Sequence, residues 1–366
     1  MRFWTRRSGC LASRKSRSDS TRCRFKARTR CAEGGTSGES CAGTDTTCTL
    51  RLNQLGPLAM TLPIILDCDP GTDDALAILL ALASPELDVL AITVAGGNVG
   101  LEQTLPNALA LRTLAGSDVP VYAGADRPLL GAFTSATRVH GIDGLGGIAL
   151  PPGQAPSPEH AADAIRRIVR LAPRPVTLVG IAPVTNIALA LMTEPAIAAN
   201  LEQIVLMSGA WGEGNANPAA EFNAVSDPEA LAVVLACGRP VIMATLEVAA
   251  QALCTPAHLA AMRASGAGRC LRAACDIQES VPFSRRLGGM GAALYDPCAV
   301  AWLIRPELFT TQLTSVAMDL GPGPCRGRTV IDRWGRSGRP VNAIVLDTID
   351  ANGFFALLTE RFNRLP

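Results

Sequence analysis

The sequence predicts an α/β protein: a single domain on a mostly parallel, Rossmann-like open sheet flanked by helices. Three observations predict it. From residue 61 onward, apolar strand-like runs alternate with helical patterns, the alternation that builds a parallel sheet with helices on both faces. The first run, "LPIILD" (62–67), is apolar almost throughout, as a strand buried on both sides must be. No internal repeat and no linker interrupts the chain after residue 60, so residues 60–366 read as one domain.

Taken in order, "LPIILD" is the first strand. Ala75, Ile78, Leu79 and Leu82 then recur at i, i+3, i+4 and i+7, one face of a helix. "DVLAITVAG" (88–96) is the next strand, 101–115 the next helix, and "VPVYAG" (119–124) a third strand. The glycines from Gly141 to Gly147 mark a loop. A helix over 159–171 leads to the strand "PVTLVGI" (175–181) and a further helix from Thr185. "EQIVLMSGA" (202–210) is followed by a polar loop. Ser226 and Glu229 have the S-x-x-E spacing of a capping box, which predicts a helix over 227–237. "PVIMATLE" (240–247) closes that unit, 256–305 reads as mainly helical, and 314–348 carries short β-like runs before a last helix over 352–363.

The net charge of +1 conceals an asymmetry. Residues 1–59 hold 12 of the 33 Lys/Arg and 4 of the 32 Asp/Glu, which leaves the body net acidic and without any lysine. Such a segment is a targeting peptide, a basic arm, or sequence upstream of the true start. It lacks the apolar centre of a secretory signal, and composition changes abruptly at Met60. We therefore expect 1–59 to be over-extended, non-native or disordered. No apolar run reaches the roughly 18 residues of a membrane span. The seven cysteines of the body are scattered with no C-x-x-C pair, which argues against a zinc site or a disulfide framework and for a cytoplasmic protein. No feature of the body points to nucleic acid.

In an open parallel sheet, ligands sit at the carboxyl ends of the strands, and this rule selects among the polar residues. Asp67 and Asp69 end the first strand, Asn98 follows the second, and Ile181 and Met207 end later ones. Asn215, Glu221 and Asn223 lie in the loop after Met207. Four aspartates, Asp67, Asp69, Asp73 and Asp74, fall within eight positions. Asp73 or Asp74 alone is explained as a helix cap, but four crowded carboxylates suggest a hard cation, Ca²⁺ or Mg²⁺, rather than zinc. Each loop residue also has a plain structural alternative: a turn for Asn98, a solvated charge for Glu221, a left-handed turn for Asn215.

"DCDPGTDDA", "GGN" (96–98), "APVTNIALAL" (182–191), "EFNAVSDPEA" (221–230) and "YDPCAV" (295–300) occur in this order, and together they resemble the inosine–uridine-preferring nucleoside N-ribohydrolases over residues 61–363. The resemblance implies hydrolysis of ribonucleosides to ribose and free base in the cytoplasm, as a dimer or tetramer. It implies a Ca²⁺ ion held by Asp69, Asp74, the backbone carbonyl of Ile181, and Asp296, with Asp69 as general base. Asp73, Asn98, Asn215, Glu221 and Asn223 would grip the ribose hydroxyls, with Met207 and Phe222 lining the sugar site and Asp67 in a supporting role. The chemistry agrees: an oxocarbenium-like sugar is stabilised by carboxylates, and a hard cation acidifies the attacking water.

One departure concerns the leaving base. Many relatives carry histidine before the aspartate matching Asp296, whereas this chain has Tyr295. Tyr295 could donate the proton, or a purine could be activated by stacking on Trp211, whose ordinary alternative is loop packing. His140 lies in a loop that would cover the base, or makes a loop hydrogen bond. Two other classes compete. A haloacid-dehalogenase-like phosphatase shares D-x-D after the first strand but needs a downstream lysine, which is missing. A non-catalytic nucleoside-binding protein on the same fold would not require Asp69.

Overall fold

A computed structural model describes residues 61–284 and 287–366. The expected segment 1–59 lies outside the described residues. Strand β1 (Leu62–Cys68) alternates its side chains between two cores: Ile64 and Leu66 enter one, Ile65 the other. That period-two division between two apolar layers is what a strand covered on both faces requires. The strands that follow are β2 (Leu87–Val94), β3 (Val121–Ala123), β4 (Val176–Gly180), β5 (Leu201–Met207), β6 (Val241–Ala244), β7 (Leu253–Cys254), β8 (Ala292–Ala293), β9 (Phe309–Thr314), β10 (Val316–Met318), β11 (Thr329–Ile331) and β12 (Ala343–Ile349).

Eight of them form one sheet in the order β3-β2-β1-β4-β5-β6-β12-β9. All its pairs are parallel except β12 with β9 at the edge. The chain builds outward from β1 to β3 on one side, then returns to place β4 on the other. The β1–β4 seam is therefore the switch point, where a crevice opens beyond the carboxyl ends of the strands. One core packs the helices Thr72–Leu82, Arg269–Ser280, Asp296–Ile304 and Ala351–Phe362 on one face. The other packs Ala161–Leu171, Thr185–Thr193 and Pro228–Leu235 on the opposite face. Helix Leu101–Ala115 ends at Gly116 with φ +69°, a left-handed C-cap that glycine adopts without steric cost. Among the described residues no helix is long and apolar enough to cross a membrane.

The capping box expected at Ser226 does not form. Asp227 caps the helix instead, accepting from the Ala230 N–H at 3.1 Å, from Thr185 Oγ1 at 2.6 Å and from the Leu129 N–H at 2.8 Å. Pro228 occupies the first helical turn, where its fixed φ suits the geometry. A carboxylate with three donors outcompetes the Ser226 hydroxyl, which is buried without a partner. Glu229, the other half of the expected box, pairs with Arg326 at 2.6 Å.

Candidate active site

The end of β1 places two buried carboxylates beside the crevice. Asp67, still in the strand, accepts from Thr93 Oγ1 of β2 at 2.6 Å and from Asn186 Nδ2 at 2.9 Å. It is a strut beneath the crevice that ties β1 to β2 and to the helix after β4. Asp69 lies beyond the strand and is fully buried. Its Oδ2 accepts from the Asn98 N–H at 2.6 Å, while its Oδ1 has no hydrogen-bond partner. Asp74, in the first turn of the helix Thr72–Leu82, reaches back to the Asp69 and Gly71 N–H groups at 3.1 and 3.0 Å. Asp74 therefore does cap its helix, as one reading of the sequence allowed, yet it also belongs to the acidic cluster.

Asn98 is no simple turn residue. Its Nδ2 donates to the Asp69 carbonyl at 3.2 Å and to Asp74 Oδ2 at 2.9 Å, so its two amide groups brace both acids. The neighbouring Gly97 has no room for a side chain: a Cβ there would collide with Asp69 Oδ2 and stand 2.9 Å from Pro183 Cδ. On the other side of the seam, Asn223 Nδ2 donates to the Ile181 and Met207 carbonyls, each at 3.1 Å. One amide thereby aligns the carbonyls that end β4 and β5. Glu221 is buried and not a solvated charge; it accepts from the N–H groups of Gly209, Asn223 and Ala224 at 2.8, 2.8 and 2.9 Å. It caps the short helix Phe222–Ser226, and Asn215 Oδ1 accepts from the Phe222 N–H at 2.9 Å.

Part of this network lines one open cavity of about 770 Å³: Asp67, Asp69 and Asp74 are not on its wall, whereas Asp73, Asn98, Ile181, Met207, Asn215, Glu221, Phe222, Asn223, Tyr295 and Asp296 are. His140 joins them. Its Nδ1 accepts from the Thr72 N–H at 3.1 Å and lies 4.0 Å from Asp73 Oδ1. That acceptor role puts the proton of the neutral ring on Nε2, and burial lowers the imidazole pKa. Trp211 is not on the wall. It is partly exposed, with the Arg333 guanidinium 4.2 Å from its ring centre, over one face. Sequence reasoning missed Gln278, a buried cavity-wall residue whose Nε2 has no partner. It also missed Thr93 and Asn186. Thr93 and Asn186 are polar residues in largely apolar runs, and Gln278 is one of several polar residues in its helix, so none carries a periodic signal.

The acidic floor is electrostatically loaded. Burial raises Asp67 to about 7, against the hydrogen bonds from Thr93 and Asn186 that favour its ionised form. Burial, with the Asp73 charge, also raises Asp74 to about 7. Asp69 is pushed well up by burial and by Asp74, and Asp296 by burial and by Asp73, Asp74 and Asp69. Among the described residues no arginine comes within ion-pair distance of these four, and the His140 ring beside Asp73 is held neutral by burial. Oxygens of Asp73, Asp74 and Asp296 lie within 4.8 Å of one another. Such a cluster, with Asp69 Oδ1 buried and unpartnered, could hold a metal ion: a cation answers both the repulsion and the orphaned oxygen.

Fold and site together define an α/β enzyme that takes a small molecule at the ends of its parallel strands, above acidic residues. Residues 64–356 match the family model described as inosine-uridine preferring nucleoside hydrolase. The pyrimidine-specific ribonucleoside hydrolase RihA of Salmonella arizonae is 45% identical over 306 residues, covering 82% of this chain and 98% of that protein. Among solved structures, the plant nucleoside hydrolase PpNRh1 superposes with a TM-score of 0.77 at 31% identity, covering 82% of this chain and 99% of that one. A purine-preferring ribonucleoside hydrolase from Gardnerella vaginalis gives 0.75 at 33% identity, covering 82% and 98%. The chain belongs to the inosine-uridine preferring nucleoside hydrolase family and is an enzyme that hydrolyses the N-glycosidic bond of ribonucleosides.

Proposed function

We propose that the enzyme is calcium-dependent and that Asp69 activates the attacking water. The observation that carries this reading is the unpartnered, fully buried Asp69 Oδ1 within a cluster of carboxylates that burial holds above their ordinary pKa range. The ligands would be Asp69, Asp74, Asp296 and the Ile181 carbonyl, which keeps a second lone pair beside its bond from Asn223. Asp73 also meets Asp74 and Asp296, but it faces the cavity and His140, so we assign it to the ribose. A calcium ion held there supplies positive charge that orients and acidifies water and neutralises the carboxylates.

Asp69 Oδ1 takes the proton from water as the nucleophile closes on the anomeric carbon, while Oδ2 stays fixed by the Asn98 N–H. Asp73 and the remaining carboxylate charge stabilise the oxocarbenium-like sugar. Asn215, Glu221 and Asn223 grip ribose hydroxyls; the amide nitrogen of Asn223 is occupied by two carbonyls, which leaves its oxygen for the substrate. Met207 and Phe222 line the sugar site. Tyr295 on the cavity wall is the proton source for the departing base, and the neutral His140 ring presents its Nε2–H toward the same space. Gln278 offers an amide to the base. The higher identity to a pyrimidine-specific relative favours uridine and cytidine over purine ribonucleosides.

The test is a panel of uridine, cytidine, inosine and adenosine, assayed for released ribose with calcium and after chelation. Ribose release fastest from the pyrimidines and abolished by chelation is expected. Binding of any of them with no ribose from all four would overturn catalysis in favour of a nucleoside-binding protein. Full activity after chelation would overturn the calcium assignment.

A further inference from the structure

The loop from Ser208 to Ala220 carries Asn215 and leads into Glu221, yet its first residues are held by parts of the chain that do not touch the cavity. Gly209 has φ +83°, a left-handed conformation suited to glycine. A Cβ there would stand 2.8 Å from Thr329 Cγ2. Thr329, buried in β11, grips the next residue at both polar groups: its Oγ1 accepts from the Ala210 N–H at 2.9 Å and donates to the Ala210 carbonyl at 2.7 Å. Glu247 Oε1 accepts from the Trp211 and Gly212 N–H groups at 3.1 and 2.8 Å. Arg333 lies over the Trp211 ring and is itself held by Asp347 at 2.7 Å. From the clamped segment, the Gly209 N–H donates to Glu221 Oε2.

We propose that Thr329, backed by Glu247 and Arg333, is a positioning residue: it locks the loop after β5 so that Glu221 and Asn215 meet the ribose. This rests on the reading that those two residues grip the sugar. The physical reason is the asymmetry of the anchoring. Glu221 lies on the cavity wall, but one of its donors is the Gly209 N–H, and Gly209 is held between Ser208, tied to Ala244, and Ala210, hooked by Thr329, with its own carbonyl accepting from Leu246. The Ser208 N–H donates to the Ala244 carbonyl at 3.2 Å, and the Leu246 N–H to the Gly209 carbonyl at 3.0 Å. Without the hook, Ala210 has a buried N–H and carbonyl to satisfy, and the loop gains conformations in which it turns toward water. The competent fraction then falls, and apparent affinity falls in proportion. Chemistry at Asp69 is untouched, because β1 and β2 hold it independently of this loop.

The experiment compares Thr329→Val, which keeps the shape and removes the hydroxyl, with Thr329→Ser, which keeps the hydroxyl, using the calcium-loaded enzyme and uridine. Thr329→Val should raise KM about tenfold, the effect of a competent fraction reduced to about a tenth, with kcat within about twofold. Thr329→Ser should stay within about threefold of the parent KM, since the hook is kept. In a Glu221→Gln background, Thr329→Val should add less than about twofold, because residues acting through one another are not additive. Should Thr329→Val fail to fold, Arg333→Gln reads the same clamp from the partly exposed side. It should raise KM about threefold through loss of the cation–ring contact, and an unchanged KM there overturns the proposal. Equal damage from Ser and Val, a fall in kcat in place of a rise in KM, or a full Thr329→Val effect in the Glu221→Gln background also overturns it. Glu221→Gln with no effect on KM overturns the sugar-gripping reading beneath it. An effective Glu221→Gln with a silent Thr329→Val overturns the clamp alone.

Discussion

On the proposed calcium assignment, chelation should destabilise this enzyme more at about pH 8 than at about pH 5. The perturbation acts on carboxylates that bind protons more tightly folded than unfolded. Asp74 goes from 3.8 to about 7 on folding. A group of this kind leaves the folded state holding more protons than the unfolded one between those values, so metal-free stability falls as pH rises through the window. At about 1.36 kcal/mol per unit, a shift of about 3 units makes ionised Asp74 cost about 4 kcal/mol above pH 7. For a domain of this size that corresponds to about 5–10 °C in melting midpoint. Calcium requires the ionised carboxylates, so the stabilisation it confers should grow over the same window. Thermal melts of chelated and calcium-loaded protein at several pH values read this directly, with the calcium-induced shift rising from near zero at about pH 5 to its maximum near pH 8. A shift that is equal at both ends, or larger in acid, would refute the electrostatic account of the cluster.

Three further outcomes follow from the same geometry. Asp69→Asn should lower kcat by about 10²–10⁴-fold, the range for a lost general base; retained turnover would unseat Asp69. Gly97→Ala forces a methyl against Asp69 and Pro183 and should cost about 1–3 kcal/mol in a chemical-denaturation curve, together with most of the activity. Tyr295→Phe should slow uridine hydrolysis by about 10²-fold or more and leave 4-nitrophenyl riboside untouched, because that leaving group departs without a proton. Equal losses on both substrates would move the acid elsewhere.

Much of this site is legible in one sequence because its residues sit where a parallel sheet must place them. Asp67, Asp69, Ile181 and Met207 end strands that read as apolar runs, and the sheet's switch point gathers whatever follows those runs. Asp296 came from the family motif, and no periodic pattern points to it. Other features depend on contacts between distant segments. The Ser226–Glu229 spacing looked like a cap, yet Asp227 takes that place through Thr185 and Leu129, neighbours that local sequence does not show. Gln278 reads as one polar residue in a helix, and only its burial on the cavity wall with an unpartnered amide marks it. Trp211 invited a stacking role because aromatic rings in polar loops so often meet ligands. Arg333, more than a hundred residues later in sequence, lies over one of its faces, and the ring is not on the cavity wall.

The β1–β4 seam also bears on how the enzyme comes into being during synthesis. Asp69 and Asp74 emerge early in the sheet, whereas Asp296 arrives only after β6 and the helices that follow it. Pairing β1 with β4 must wait for the whole of β2 and β3 to be made, and the last carboxylate must wait longer still. A nascent chain on the ribosome therefore carries an incomplete, mutually repelling set of acids until most of it has been translated. On the proposed assignment, metal capture would then mark the completed molecule, and a proteolytic fragment ending ahead of Asp296 would lose that ligand.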